Sequence, residues 1–158
     1  MKGLMNRPRC AAAVLVAAFA VLALSGCATV RVEKTPVYAD PTETEGIVYF
    51  YREKEWAGSG VRYAVHEGDT KLGALKSGTY SFHLTEPGEK RFWAETESED
   101  SAEFSVEANE AYYIKCEVGM GLFVGRPKLT VVSDVEGEPA VKKLKYVKFE
   151  PEIESAEK

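Results

Sequence analysis

The sequence predicts an all-β fold, an antiparallel β-sandwich of about seven strands with room for one short C-terminal helix. Three observations carry this expectation. Apolar residues between Gly46 and Phe149 recur with a period of two. Turn residues punctuate that pattern every roughly 8–12 positions, the spacing of sandwich and barrel strands. A helical period sustained beyond two turns is absent from the same stretch, apart from one short segment near its end. The chain has 158 residues, 45% of them apolar, enough for one domain with a real core.

Taken in order, Ile47-Val48-Tyr49-Phe50-Tyr51 is apolar at every position, which suits a strand covered on both faces. Val61, Tyr63 and Val65 alternate with Arg62, Ala64 and His66, and Glu67-Gly68-Asp69-Thr70 supplies turn chemistry before an extended run from Leu72 to Leu75. Tyr80, Phe82 and Leu84 alternate with Ser81 and His83. Pro87-Gly88 ends that strand, and Phe92 and Ala94 alternate with Arg91, Trp93 and Glu95 in the next. The acidic stretch Thr96–Asp100 reads as a turn. Ala102, Phe104 and Val106 then alternate with Glu103, Ser105 and Glu107, the clearest half-buried strand of the chain. After Ala108-Asn109-Glu110, residues Tyr112, Ile114, Cys116 and Val118 face one side and Tyr113, Lys115 and Glu117 the other; Leu129–Val132 forms a further strand. Pro139, with Ala140, Val141 and Leu144 behind it, starts the short helix, at the first position where proline is tolerated.

Several of these landmarks together resemble a known family. Val48-Tyr49-Phe50-Tyr51-Arg52, Leu72-Gly73-Ala74-Leu75, Gly78-Thr79-Tyr80, Pro87-Gly88 and Asn109-Glu110-Ala111-Tyr112-Tyr113-Ile114 resemble the DUF2846 family of bacterial lipoproteins, over roughly residues 46–145. The Leu-Gly, Pro-Gly and Tyr-Tyr landmarks are also similar to PEGA-type and transthyretin-like sandwich modules. The resemblance implies an extracytoplasmic β-sandwich of unknown function, and no catalytic residue comes with it.

The N-terminus has a different physical character. Lys2, Arg7 and Arg9 precede an uncharged run from Ala11 to Leu24, and no acidic residue occurs before Glu33. Fourteen residues at about 1.5 Å rise span roughly 21 Å, short of the roughly 30 Å hydrocarbon core, so the run reads as a signal-peptide core. Leu24-Ser25-Gly26-Cys27 resembles the bacterial lipobox. That resemblance implies lipid attachment to the Cys27 thiol, cleavage between Gly26 and Cys27, and acylation of the new amine. Several acyl chains together hold a protein to a bilayer where one chain binds only reversibly. Ala28, rather than aspartate, resembles the signal for transfer to the outer membrane, facing the periplasm.

Loss of residues 1–26 would remove three of the 20 basic residues and none of the 25 acidic ones, leaving a formal charge of −8. Such a charge disfavours nucleic acid and anionic surfaces, so the folded part is expected to stand away from the headgroups. Residues 27–45, with Pro36 and Pro41, read as the lipidated cysteine and a tether, with Val30 and Val32 as material for an edge strand. Residues 46–149 form the sandwich, and 150–158 an acidic tail.

Candidate sites are few. Two histidines and three cysteines leave little material for metal ligation or a disulfide framework. His66 and His83, on outward faces, form with Glu67 or Asp69 a weak metal motif; a surface position without ligand is the preferred reading. Cys116 shares a face with Ile114 and Val118 and reads as a small buried hydrophobe. The acidic stretch Glu95–Glu103 lacks the order of a calcium loop, Gly58-Ser59-Gly60 lacks the lysine of a phosphate loop, and no nucleophile elbow occurs. No metal, cofactor or catalytic residue is expected. Trp56, Trp93 and Tyr113 make the candidate contact surface, suited to a protein or glycan partner if Trp93 and Tyr113 lie on paired strands. The glycine-rich run Gly119–Gly125 is a second candidate. The functional expectation is a membrane-anchored envelope lipoprotein whose folded part is a non-enzymatic binding or accessory module. A structural subunit pairing through a sheet edge is the alternative, and an enzyme of unknown class ranks third.

Overall fold

A computed structural model describes residues 30–56, 58–119 and 125–153. In chain order the strands are β1 (Gly46–Arg52), β2 (Tyr63–Glu67), β3 (Thr70–Leu75), β4 (Thr79–Thr85), β5 (Gly88–Glu95), β6 (Glu99–Val106), β7 (Ala111–Gly119) and β8 (Arg126–Val132). Helix α1 (Asp134–Val141) follows, then the two-residue strands β9 (Lys145–Tyr146) and β10 (Glu152–Ile153). They form two five-stranded sheets, ordered β8-β7-β1-β4-β9 and β10-β3-β2-β5-β6. The all-β sandwich is therefore the fold. It differs from a purely antiparallel one because β1 pairs with β7 in parallel, as β4 does with β9.

The pattern of β1 explains the layering. Val48 and Phe50 point between the sheets, where they meet Val65, Leu72, Phe92, Val106, Ile114 and Phe149. Ile47, Tyr49 and Tyr51 point the other way, into a second apolar cluster with Tyr80, Tyr113, Val141 and Tyr146. A strand in the middle of a sheet with both faces covered favours apolar residues, and all seven residues of β1 are buried, Arg52 at its end included. Gly73 permits one close approach in the inner layer, since a Cβ there would lie 2.5 Å from Phe149 Cδ1. The turn between β6 and β7 uses Asn109 at φ +62°, a left-handed conformation that asparagine tolerates.

The outer cover of the first sheet comes from two segments that the sequence reads otherwise. Helix α1 begins at Asp134, and Pro139 lies inside it rather than at its start. Asp134 and Glu136 in the first turn suit the positive end of the helix. Two turns survive a proline because Lys142 and Lys143 N–H groups close the end onto Glu138 and Ala140. Gly137 is the contact point, for a Cβ there would overlap the ring of Tyr113.

The second segment is residues 30–45, expected as a tether. It is a strap bound along the sheet. Val32 forms an isolated antiparallel bridge with Val147, and Glu33 N–H donates to the Tyr146 carbonyl at 2.9 Å. Two tyrosines then take both backbone groups of alternate residues. Tyr80 Oη accepts from Val37 N–H at 3.2 Å and donates to its carbonyl at 2.9 Å. Tyr49 Oη does the same for Ala39, at 3.0 and 2.6 Å. Tyr38 stacks on Tyr80 with centroids 5.6 Å apart. An extended segment offers these groups at every second residue on one side, so two hydroxyls replace the partner strand that the sheet face cannot supply. The tail reading also needs correction at its start: Glu152 and Ile153 pair with Lys71 and Thr70.

Candidate functional site

The predicted aromatic surface divides. Trp93 is on β5 in the second sheet and Tyr113 on β7 in the first, so they cannot form one patch. Tyr113 is buried under α1 and stacks on Tyr49 at 5.4 Å. Trp93 stacks on His66 at 4.1 Å and donates Nε1–H to the Gly68 carbonyl at 2.8 Å. Both rings are engaged within the fold. Trp56 is the exception, with 95% of its surface exposed.

The loop that carries Trp56 is built from below by a residue the sequence reading passed over. Arg52, the last residue of β1, is buried at 2% exposure. Its Nη1 donates to the Val61 carbonyl at 2.7 Å and its Nη2 to the Gly58 carbonyl at 2.6 Å, while the guanidinium lies 5.8 Å from the Tyr63 ring centroid. Burial pulls the Arg52 pKa down from its ordinary value. Charge-assisted bonds to two carbonyls hold the backbone either side of the turn, and Gly58 supplies the positive φ of +68° that the turn requires. Gly58-Ser59-Gly60 is thus a turn fixed on an arginine. Its signal was legible: an arginine ending an otherwise apolar strand must find acceptors.

Trp56 borders an open groove of about 820 Å³ that also exposes Lys54, Lys76 and Lys145, with Ser77, Thr79 and Val32 between them. Among the described residues, Glu55 is the one acidic residue lining it. Adjoining depressions that share Val32 add Arg31 and Lys34. None of Lys54, Lys76 and Lys145 forms a salt bridge among the described residues. A separate cavity of about 250 Å³ lies between the strap and α1, lined by Tyr38, Tyr49, Tyr113, Glu138 and Lys142.

The histidines are not on free outward faces. His66 is buried against Trp93. His83 joins a polar clasp between the sheets: its Nε2 lies 2.9 Å from Glu67 Oε2, Thr85 Oγ1 donates to Oε1 at 2.7 Å, and Lys90 Nζ sits 3.1 Å from Oε1. Burial opposes ionisation of Glu67, yet the bonds from His83, Thr85 and Lys90 outweigh it and hold the carboxyl at about 2. Asp69 takes no part in the clasp. With a lysine and a threonine filling the carboxylate, the arrangement ties β4 to β2 and β5.

Cys116 is fully buried in the inter-sheet core, and that burial pushes its thiol up to about 12. The acidic stretch is used structurally. Arg91 pairs with Glu99 and Glu103, and Asp100 Oδ2 accepts from Leu129 N–H at 2.7 Å, joining β6 to β8. In the glycine-rich run, the Gly125 carbonyl accepts from Thr96 Oγ1 at 2.8 Å; residues 120–124 lie outside the described residues. So do Leu24, Ser25, Gly26 and Cys27.

Comparison with known proteins adds three findings. Residues 42–126 match the family model DUF2846, described as a protein of unknown function. A curated protein of Haemophilus influenzae, described as uncharacterized, is 28% identical over 130 residues, covering 78% of this chain and 77% of its own length. No solved structure matches.

Proposed function

Because this chain belongs to the DUF2846 family, whose function is unknown, we propose its role from its own residues: a lipid-anchored envelope protein, held through Cys27 at the outer membrane and facing the periplasm, that acts as a non-enzymatic binding or accessory module. The binding part of this reading rests on Trp56. An indole left 95% exposed on a loop pinned by a buried arginine is costly to keep in water and suits a contact surface. The polar groups that come together elsewhere, Glu67 with His83, Thr85 and Lys90, are saturated by one another, which favours a structural clasp over chemistry.

The anchoring part rests on Leu24-Ser25-Gly26-Cys27 after a short apolar run. Labelled palmitate and membrane fractionation test it. Wild-type chain takes up label and pellets with envelopes, and Cys27→Ala does neither. A Cys27→Ala chain that is processed identically and still pellets refutes the anchor. Pairing through a sheet edge has less support, because β9 and β10 are only two residues long and the edge strands β8 and β6 are tied to each other where Asp100 Oδ2 accepts from Leu129 N–H.

A further inference from the structure

We propose that the Trp56 groove is a membrane-facing surface that docks on anionic phospholipid headgroups of the membrane holding the lipid anchor; this rests on the Cys27 reading above.

The argument starts from the strap. A free segment of 18 residues after Cys27 would let the domain stand roughly 60 Å off. The strap removes that freedom, because Val32 is already fixed to Val147 at the border of the groove. Five residue steps separate Cys27 from Val32, so the groove lies at most roughly 17 Å along the chain from the anchor. The headgroup layer is itself roughly 5–8 Å thick on each side of the hydrocarbon. The groove edge is thus held within the headgroup layer or within roughly 12 Å of its surface, close enough to dock without unfolding the strap.

The chemistry of that edge fits. Lys54, Lys76 and Lys145 line the groove with Arg31 and Lys34 beside it, against Glu55 and Glu33. This local excess of positive charge occurs on a body whose mature formal charge is −8. Net charge therefore misstates how the domain meets a surface: five basic residues face two acidic ones at this edge, and charges beyond a Debye length of about 8 Å are largely screened. Trp56 supplies the amphipathic ring that settles at the water–lipid boundary. Each basic residue near an anionic surface strengthens association by about fivefold.

The test uses two forms that both lack residues 1–26, lipidated wild type and unlipidated Cys27→Ala, with Trp93→Phe in both so that Trp56 is the fluorophore. Vesicles are phosphatidylcholine alone or mixed with phosphatidylglycerol, carrying brominated acyl chains. Lipidated chain should show Trp56 emission blue-shifted and more strongly quenched in the anionic vesicles than in phosphatidylcholine alone. Cys27→Ala should bind the anionic vesicles in a salt-sensitive way, and Lys54→Gln with Lys76→Gln and Lys145→Gln should weaken that binding on the order of a hundredfold. Anchored chain that floats with both vesicles while Trp56 stays unquenched overturns the docking surface and leaves the anchor standing. So does Trp56 cross-linking to an envelope protein or glycan while remaining unquenched. Wild type and Cys27→Ala that float alike with anionic vesicles alone support the surface and refute the anchor.

Discussion

Replacing Glu67 by glutamine isolates the clasp between the sheets. The carboxylate accepts from Thr85, Lys90 and His83, and its side chain is 17% exposed. Its pKa falls from an ordinary 4.5 to about 2. A depressed carboxyl contributes stability that is complete above its unfolded pKa and is lost as pH falls through the folded value. At about 1.4 kcal/mol per pH unit, the ceiling is roughly 3 kcal/mol at neutral pH. Glu67→Gln removes the charge and turns an N–H donor toward Lys90 or His83, so at pH 7 it should cost about 2–3 kcal/mol. With a urea m-value of about 1–3 kcal/mol/M, the midpoint should fall by roughly 1–2 M. At pH near 2 the wild-type group is itself protonating, and most of the difference should vanish. The assay is urea unfolding of the chain lacking residues 1–26, with Cys27→Ser, at both pH values. A penalty equally large at low and neutral pH would refute the reasoning, because it would come from packing and not from ionisation.

Two other substitutions probe the outer layer. Tyr49→Phe removes the hydroxyl that takes both backbone groups of Ala39. It should cost about 1–3 kcal/mol and speed amide hydrogen exchange at Ala39 far more than in β1; uniform acceleration would show that the strap is not held locally. Gly137→Ala trades a helix-propensity gain of up to about 1 kcal/mol against overlap with Tyr113. Overpacking of this kind costs about 1–3 kcal/mol, so thermal unfolding should move downward. A stabilised variant would mean that α1 sits farther from the sheet than described.

The local pattern announced the strands because a half-buried strand writes its two faces into alternate residues. β6 reads directly from Ala102, Phe104 and Val106, and β1 announces two covered faces through an unbroken apolar run. What covers the outer face of β1 was not legible. Residues 30–45 are polar and proline-bearing, as a tether would be, and they bind through backbone groups that every residue possesses. The partners are tyrosine hydroxyls distant in sequence, with Tyr80 lying 43 positions from Val37. Proline likewise misplaced α1, since its preference for a first turn was overridden by packing of Gly137 on Tyr113.

Composition and periodicity determined the fold class and the apolar faces, because each is a property of neighbouring residues. Tertiary structure alone decided which tyrosines are buried, that Trp93 and Tyr113 lie on different sheets, and that Lys54, Lys76, Lys145 and Trp56 share one groove beside Val32. The physical reason is that pairing between distant segments depends on which strands meet. A mean charge or a local period averages over that choice.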